Sequence, residues 1–253
     1  GVAQLAEVFL SHNLFKRAED SLLRILLTAD PRGRSWVRAG GEYAKFAKRR
    51  GDWRVAAAFM EVDALLDVRV RPTYVSPLMY LRKRFAADLM RGLALHEEGQ
   101  NDEALALFDR SFKFLIGDGV LADDFFPLLR QVGLVEIHDR YFEIAWDRLK
   151  ASIEAYPETH NTYNSAAWLA SRSVRRLDDA ERFETKALKM RPKQAAYLDT
   201  MAEIWFARGN REKAVEWSTK AVMDSENAGH SRPGGAELRA QHERFKSAPF
   251  PVP

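Results

Sequence analysis

Cysteine is absent from the 253 residues. That excludes a disulfide framework, Cys-ligated zinc and a thiol nucleophile. No apolar run approaches the roughly 18 residues that would span a bilayer. The 14 Gly and 10 Pro are too few for a collagen-like or low-complexity chain. Sustained alternation of period two is missing, so no strands are expected. Phosphate-loop and dinucleotide fingerprints are missing as well. His96-Glu97-Glu98 has no second histidine at the helical spacing a zinc site needs. The six histidines are otherwise scattered, and His138-Asp139 are adjacent residues that do not share a helix face. No catalytic triad stands out, so no catalytic, metal or cofactor residue is assigned and the chain is expected not to be an enzyme.

What the absences leave open is the compartment. The chain starts at Gly1 without an initiator Met and runs directly into a helical pattern, Val2-Ala3-Gln4-Leu5-Ala6-Glu7. This points to a piece of a longer protein, in the cytoplasm by default or in the periplasm if a leader has been removed.

The composition, 46% apolar and 30% charged, supplies a normal core. The net charge of +3 is unevenly spread. Residues 1–84 carry 16 Lys and Arg against 9 acids, and the remainder carries 23 against 27. A basic end and a mildly acidic end suit a surface that reads a polar partner.

One pattern recurs along the chain. A helical segment with a small residue near its middle is followed by a turn, and then by a helix with an early alanine. Those alanines are Ala18, Ala56, Ala104, Ala145, Ala180 and Ala214, spaced by 38, 48, 41, 35 and 34 residues. Twelve residues before each stand Ala6, Ala44, Gly92, Gly133, Trp168 and Ala202. Four after each stand Leu22, Met60, Phe108, Leu149, Glu184 and Ser218. For the last two, Phe183 and Trp217 are expected to fill the apolar space from next door. Gly51, Gly99 and Gly209 mark turns, and Pro157 and Pro192 close units.

On these residues the chain resembles a tetratricopeptide repeat (TPR) protein over roughly residues 3–226. The resemblance implies an all-α fold, a right-handed α-α superhelical solenoid of about six helix-turn-helix units. The units lie near 3–31, 37–68, 85–116, 126–157, 161–192 and 195–226. A loop at 227–235, a capping helix at 236–246 and a Pro-rich tail at 247–253 follow. Leu238, His242 and Phe245 line one side of that last helix. Two segments break the period. Pro72 and Pro77 are expected to interrupt helix within 67–84. In 116–126, Asp123 or Asp124 is expected to cap a helix with Pro127 in its first turn.

In this family the first helix of each pair lines a groove that receives peptides. Carried over unit by unit, the resemblance implies partner-binding residues. They are basic at one end (Arg38, Lys45, Lys48, Arg49) and mixed in the middle (Arg130, Leu134, His138, Leu169, Arg172). At the far end stand the acids Asp199 and Glu203 with Phe206. The Lys and Asn clamp of chaperone-binding relatives is missing. The expectation is a protein-protein interaction scaffold, part of a larger protein or assembly, that binds a peptide. Two alternatives stand beside it: nucleic-acid binding through the basic first third, and a regulatory region of an enzyme. No membrane span is expected, and self-association through the edges of the array stays open.

Overall fold

The computed structural model describes residues 9, 14–70, 76–115, 119–227 and 235–251. Every regular element among them is helical. The chain divides into two compact units, residues 1–115 and 116–253.

The first unit holds α1 (Phe15–Thr28), α2 (Arg34–Arg50), α3 (Trp53–Val70), α4 (Pro77–Glu97) and α5 (Asn101–Phe114). Each packs on the next in the chain. The connections explain why. Gly51 takes φ +78°, a left-handed value, and its N–H reaches back to the carbonyls of Ala47 and Lys48. A side chain there would clash with its own backbone, so glycine ends α2 and turns the chain within two residues. Leu22, Ile25 and Ala39 form a small core between α1 and α2. The Trp53 indole donates to Glu97 Oε1 at 2.7 Å, pinning α3 to α4. Gly92 of α4 lies against the Phe108 ring of α5, so close that no Cβ would fit without movement. Pro77 does not interrupt a helix as expected. It sits in the first turn of α4, where its missing N–H costs nothing, and Ser76 Oγ caps that turn by accepting from the Met79 N–H at 3.2 Å. Pro72 lies outside the described residues.

The second unit opens with a π-helical turn at Leu121–Phe125 that runs into α6 (Phe126–Gln131). Then come α7 (Val135–Ala155), α8 (His160–Ser173), α9 (Leu177–Met190), α10 (Ala195–Ala207), α11 (Arg211–Asn227) and α12 (Gly235–Ser247). The helices α8, α10 and α6 are neighbours in space although they alternate in sequence: α6 touches α8, and α8 touches α10. That is the arrangement of stacked helix pairs. Asp123 and Asp124 do not cap α6. The π turn continues directly into it, and its N-cap position, Phe125, makes no side-chain bond. Asp123 Oδ1 instead accepts from the Trp168 indole at 2.8 Å.

All six alanines of the recurring pattern are buried. A buried methyl group at such a position lets packed helices approach one another. Gly133 departs from its expected place. It is not the small residue inside a first helix but the left-handed turn after α6, at φ +79°. The first helix of that pair is therefore short. Glu184 also departs. Phe183 does not take its place: the Glu184 side chain is itself fully buried and Phe183 only half so.

Helix α12 covers the end of α10 and α11. Phe245 is fully buried against Phe206, Ala202 and Ala214. His242 Nδ1 meets Ser218 Oγ at 2.8 Å. Arg211 donates to the carbonyls of Phe245 and Ala248, which holds the following segment down. Burying one phenylalanine contributes about 2–3 kcal/mol, so this contact carries much of the cap.

Candidate functional site

Helices α6, α8, α10 and α12 bring three arginines onto one connected polar network, and a fourth, Arg175, stands near it. Arg130 of α6 donates through Nη1 to the Arg172 carbonyl at 3.1 Å. Arg172, near the end of α8, reaches Glu203 Oε1 on α10 at 3.2 Å. Its other Nη contacts the Asp123 carbonyl at 3.5 Å, and its guanidinium lies 5.5 Å over the Trp168 ring. Arg244 of α12 grips the second oxygen of Glu203. Arg175, just past α8, donates through Nε to Asp139 Oδ1 at 2.9 Å. Glu203 is thus shared between two guanidiniums, a geometry that offsets the cost of burying its charge.

The four guanidiniums lie near the carboxylates of Asp139, Glu203 and Asp123, all three engaged, and near Asp199. Burial, reinforced by Glu203, pushes the Asp199 carboxyl up to about 7, although Arg244 and Arg172 oppose the rise. One of its oxygens, Oδ1, is buried without a partner. Burial lowers the pKa of Arg130, and the charges of Arg172 and Arg175 lower it further. Burial likewise lowers that of Arg244, against the pull of Glu203. Burial alone would raise Asp139, yet hydrogen bonds from Arg175 and His138 hold its carboxyl below the usual range. Arg130 is the cation of this set whose one hydrogen bond goes to a neutral carbonyl.

His138 is fully buried between Phe126 and Phe142. Burial lowers its pKa, so the ring is neutral at pH 7. Nδ1 donates to Asp139 Oδ1 at 2.8 Å, which leaves Nε2 as a buried acceptor without a partner.

Beside the arginines lies a cavity of about 220 Å³. Leu121 and Ala122 of the π turn, Ala145 and Leu149 of α7, and Trp168 and Leu169 of α8 form its apolar wall. Ser165 and Asn164 supply the polar part. Asn164 Oδ1 accepts from Thr200 Oγ1 at 2.8 Å, and Tyr197 of α10 bonds Asn161 and sits 2.5 Å from His160 Nδ1. These bonds lock α8 to α10 and hold Asn164 of the cavity lining in place.

The expected contact residues divide accordingly. Arg130 and Arg172 come together with Asp199 and Glu203. Leu169 is buried and faces the cavity. His138 and Phe206 offer nothing to a partner directly, since one is sealed among aromatic rings and the other lies under Phe245 and Phe250. Leu134 is half-buried at the start of α7, because α6 ends early. Arg175 and Arg244 were not anticipated. Arg175 follows a left-handed Val174 that ends α8, and Arg244 belongs to the cap. In the first unit, Arg38, Lys45 and Arg49 are exposed along α2 and Lys48 is half-buried. Lys45 pairs with Glu42 at 2.7 Å. Many other basic residues there are also paired: Arg50 with Glu19 and Asp52, Lys83 with Asp63, Arg91 with Glu61.

Among the described residues no group of acids and histidines is placed to hold a metal ion. No described helix is long and apolar enough to cross a membrane. No protein-family model matches the chain, and no curated protein does. Among solved structures the chain is similar to one titled "MamA MSR-1 C2", at 18% identity over 79% of this chain and 100% of that one, with a TM-score of 0.33. At that score the likeness carries no argument. The helical-repeat class follows from the helices, their pairing and their buried alanines.

Proposed function

We propose that this chain is a protein-interaction module that binds a peptide segment along the α6–α8–α10 face of its second unit. The observation that supports this best is Arg130, a half-buried guanidinium bonded only to the Arg172 carbonyl, on a face where Arg172 also covers the Trp168 wall of an apolar cavity. A rigid face with one charged and one apolar element recognises a short linear segment at low ordering cost. Binding is proposed in place of catalysis, because what this face offers a ligand is a guanidinium and an apolar cavity.

Protein is favoured over nucleic acid for a specific reason. Several basic residues of the first unit, Arg50, Lys83 and Arg91 among them, are paired with acids on neighbouring helices or turns, which lowers the positive charge that face can offer a phosphate backbone.

The test is selection from a random dodecapeptide display library on the immobilised chain, beside a Ser165→Trp variant. Ser165 is exposed at the cavity rim, so the variant blocks the face without touching the core. Peptides enriched by the wild type and lost by the variant are expected. Enrichment that survives the substitution would move the site elsewhere, and no enrichment at all would refute peptide binding.

A further inference from the structure

We infer that the peptide this face takes carries an acidic residue directly beside a bulky aliphatic one. The carboxylate would accept from Arg130, and the aliphatic side chain would fill the cavity walled by Leu121, Leu149 and Trp168. This rests on the peptide-binding reading above and specifies its ligand.

Arg172 and Arg244 share Glu203, and Arg175 holds Asp139. Arg130 is given only the Arg172 carbonyl. A guanidinium carries five N–H donors in a fixed fork that matches a carboxylate. One is used, and the side chain is half-buried, so its charge is poorly hydrated. The neighbouring arginines make a second cation unwelcome and an anion welcome. Glu203 and Asp139 stand close by, already engaged. A singly charged carboxylate therefore suits the site better than a doubly charged phosphate, which both acids would repel.

The cavity of about 220 Å³ exceeds the volume of one leucine or methionine side chain, and its walls come from three rigid elements. Arg172 joins the two sites: its carbonyl takes Arg130, while its guanidinium covers the Trp168 ring at the cavity wall. Adjacent recognition points suit adjacent residues of a peptide that turns at this point, because in a fully extended segment successive side chains would point to opposite sides.

Fluorescein-labelled dodecapeptide pools provide the test, with Asp-Leu, Asn-Leu or Asp-Ser fixed at the centre and the other positions randomised. Binding is read by anisotropy against wild type, Arg130→Gln and Ser165→Phe. A charge-assisted bond is worth about 1.5–3 kcal/mol, or tenfold and more in affinity. The wild type is expected to prefer Asp-Leu to Asn-Leu by about tenfold or more. In Arg130→Gln that preference should fall to about one, while Leu over Ser survives. In Ser165→Phe the reverse should hold, which keeps the proposal testable if Arg130→Gln proves unstable. Pools that bind without discriminating Asp from Asn, or an Asp preference that persists without Arg130, would overturn this inference and leave peptide binding standing. Failure of every pool, together with no enrichment from the random library, would overturn both.

Discussion

Replacing Glu184 with leucine is expected to stabilise the second unit, and increasingly so as pH rises. Glu184 occupies the slot that holds Leu22 and Phe108 in two other repeats, and like them it is fully buried. Both of its carboxyl oxygens lack a partner. Burial pushes its pKa up to about 9 from 4.5. The folded chain therefore holds a proton that the unfolded chain releases above pH 4.5. Stability is fullest below that pH and falls until the folded carboxyl itself ionises near pH 9. Each pH unit in the window removes up to about 1.4 kcal/mol, so a rise from pH 5 to 8 removes up to about 4 kcal/mol. Leucine has a similar volume and no charge to desolvate. Urea melts of wild type and Glu184→Leu at several pH values measure the difference directly. The gap should widen from about pH 5 to pH 8. Parallel curves, or a leucine variant less stable at pH 8, would refute the reasoning.

Other outcomes follow from the same contacts. Asp199, raised to about 7 by burial and Glu203, acts in the same direction within a lower window. Its stabilising protonation is complete below about pH 4 and lost by about pH 7, so Asp199→Asn should flatten the stability profile there, as read by thermal melting. Gly92→Ala should lower the melting temperature. The methyl group collides with the buried Phe108 ring, and overpacking of about 1–3 kcal/mol exceeds the roughly 1 kcal/mol gained in helix propensity. Phe245→Ala should cost about 3–5 kcal/mol and expose Phe206, seen as increased binding of an apolar dye. Glu203→Gln should cost about 3 kcal/mol, because Arg172 and Arg244 both lose their carboxylate.

The alanine register was legible because packed helices favour small side chains at recurring positions, and all six alanines are buried. Glycine was legible where φ is positive, at Gly51, Gly99 and Gly209, but ambiguous at Gly133. A small residue in a packed helix and a left-handed turn use the same letter. The shortened α6 that follows from Gly133 displaced Leu134 and His138 from the face assigned to them. Phe206 was missed as a core residue because its covering partners, Phe245 and Phe250, lie some 40 residues onward and follow no repeat. Half of the charged network was legible: Arg130 and Arg172 stand at first-helix positions, whereas Arg175 and Arg244 follow no repeat register. Glu184 showed a signal as an acid in an apolar slot, but periodicity could not tell whether it or Phe183 turns inward.

The central claim, that the α6–α8–α10 face receives a peptide, is tested most directly by hydrogen exchange on the full chain with and without a library-selected peptide. Slowed exchange in 119–131 and in α8 is predicted, with α2 and α11 unchanged. Protection confined to α2, or to α9 and α11, would contradict it.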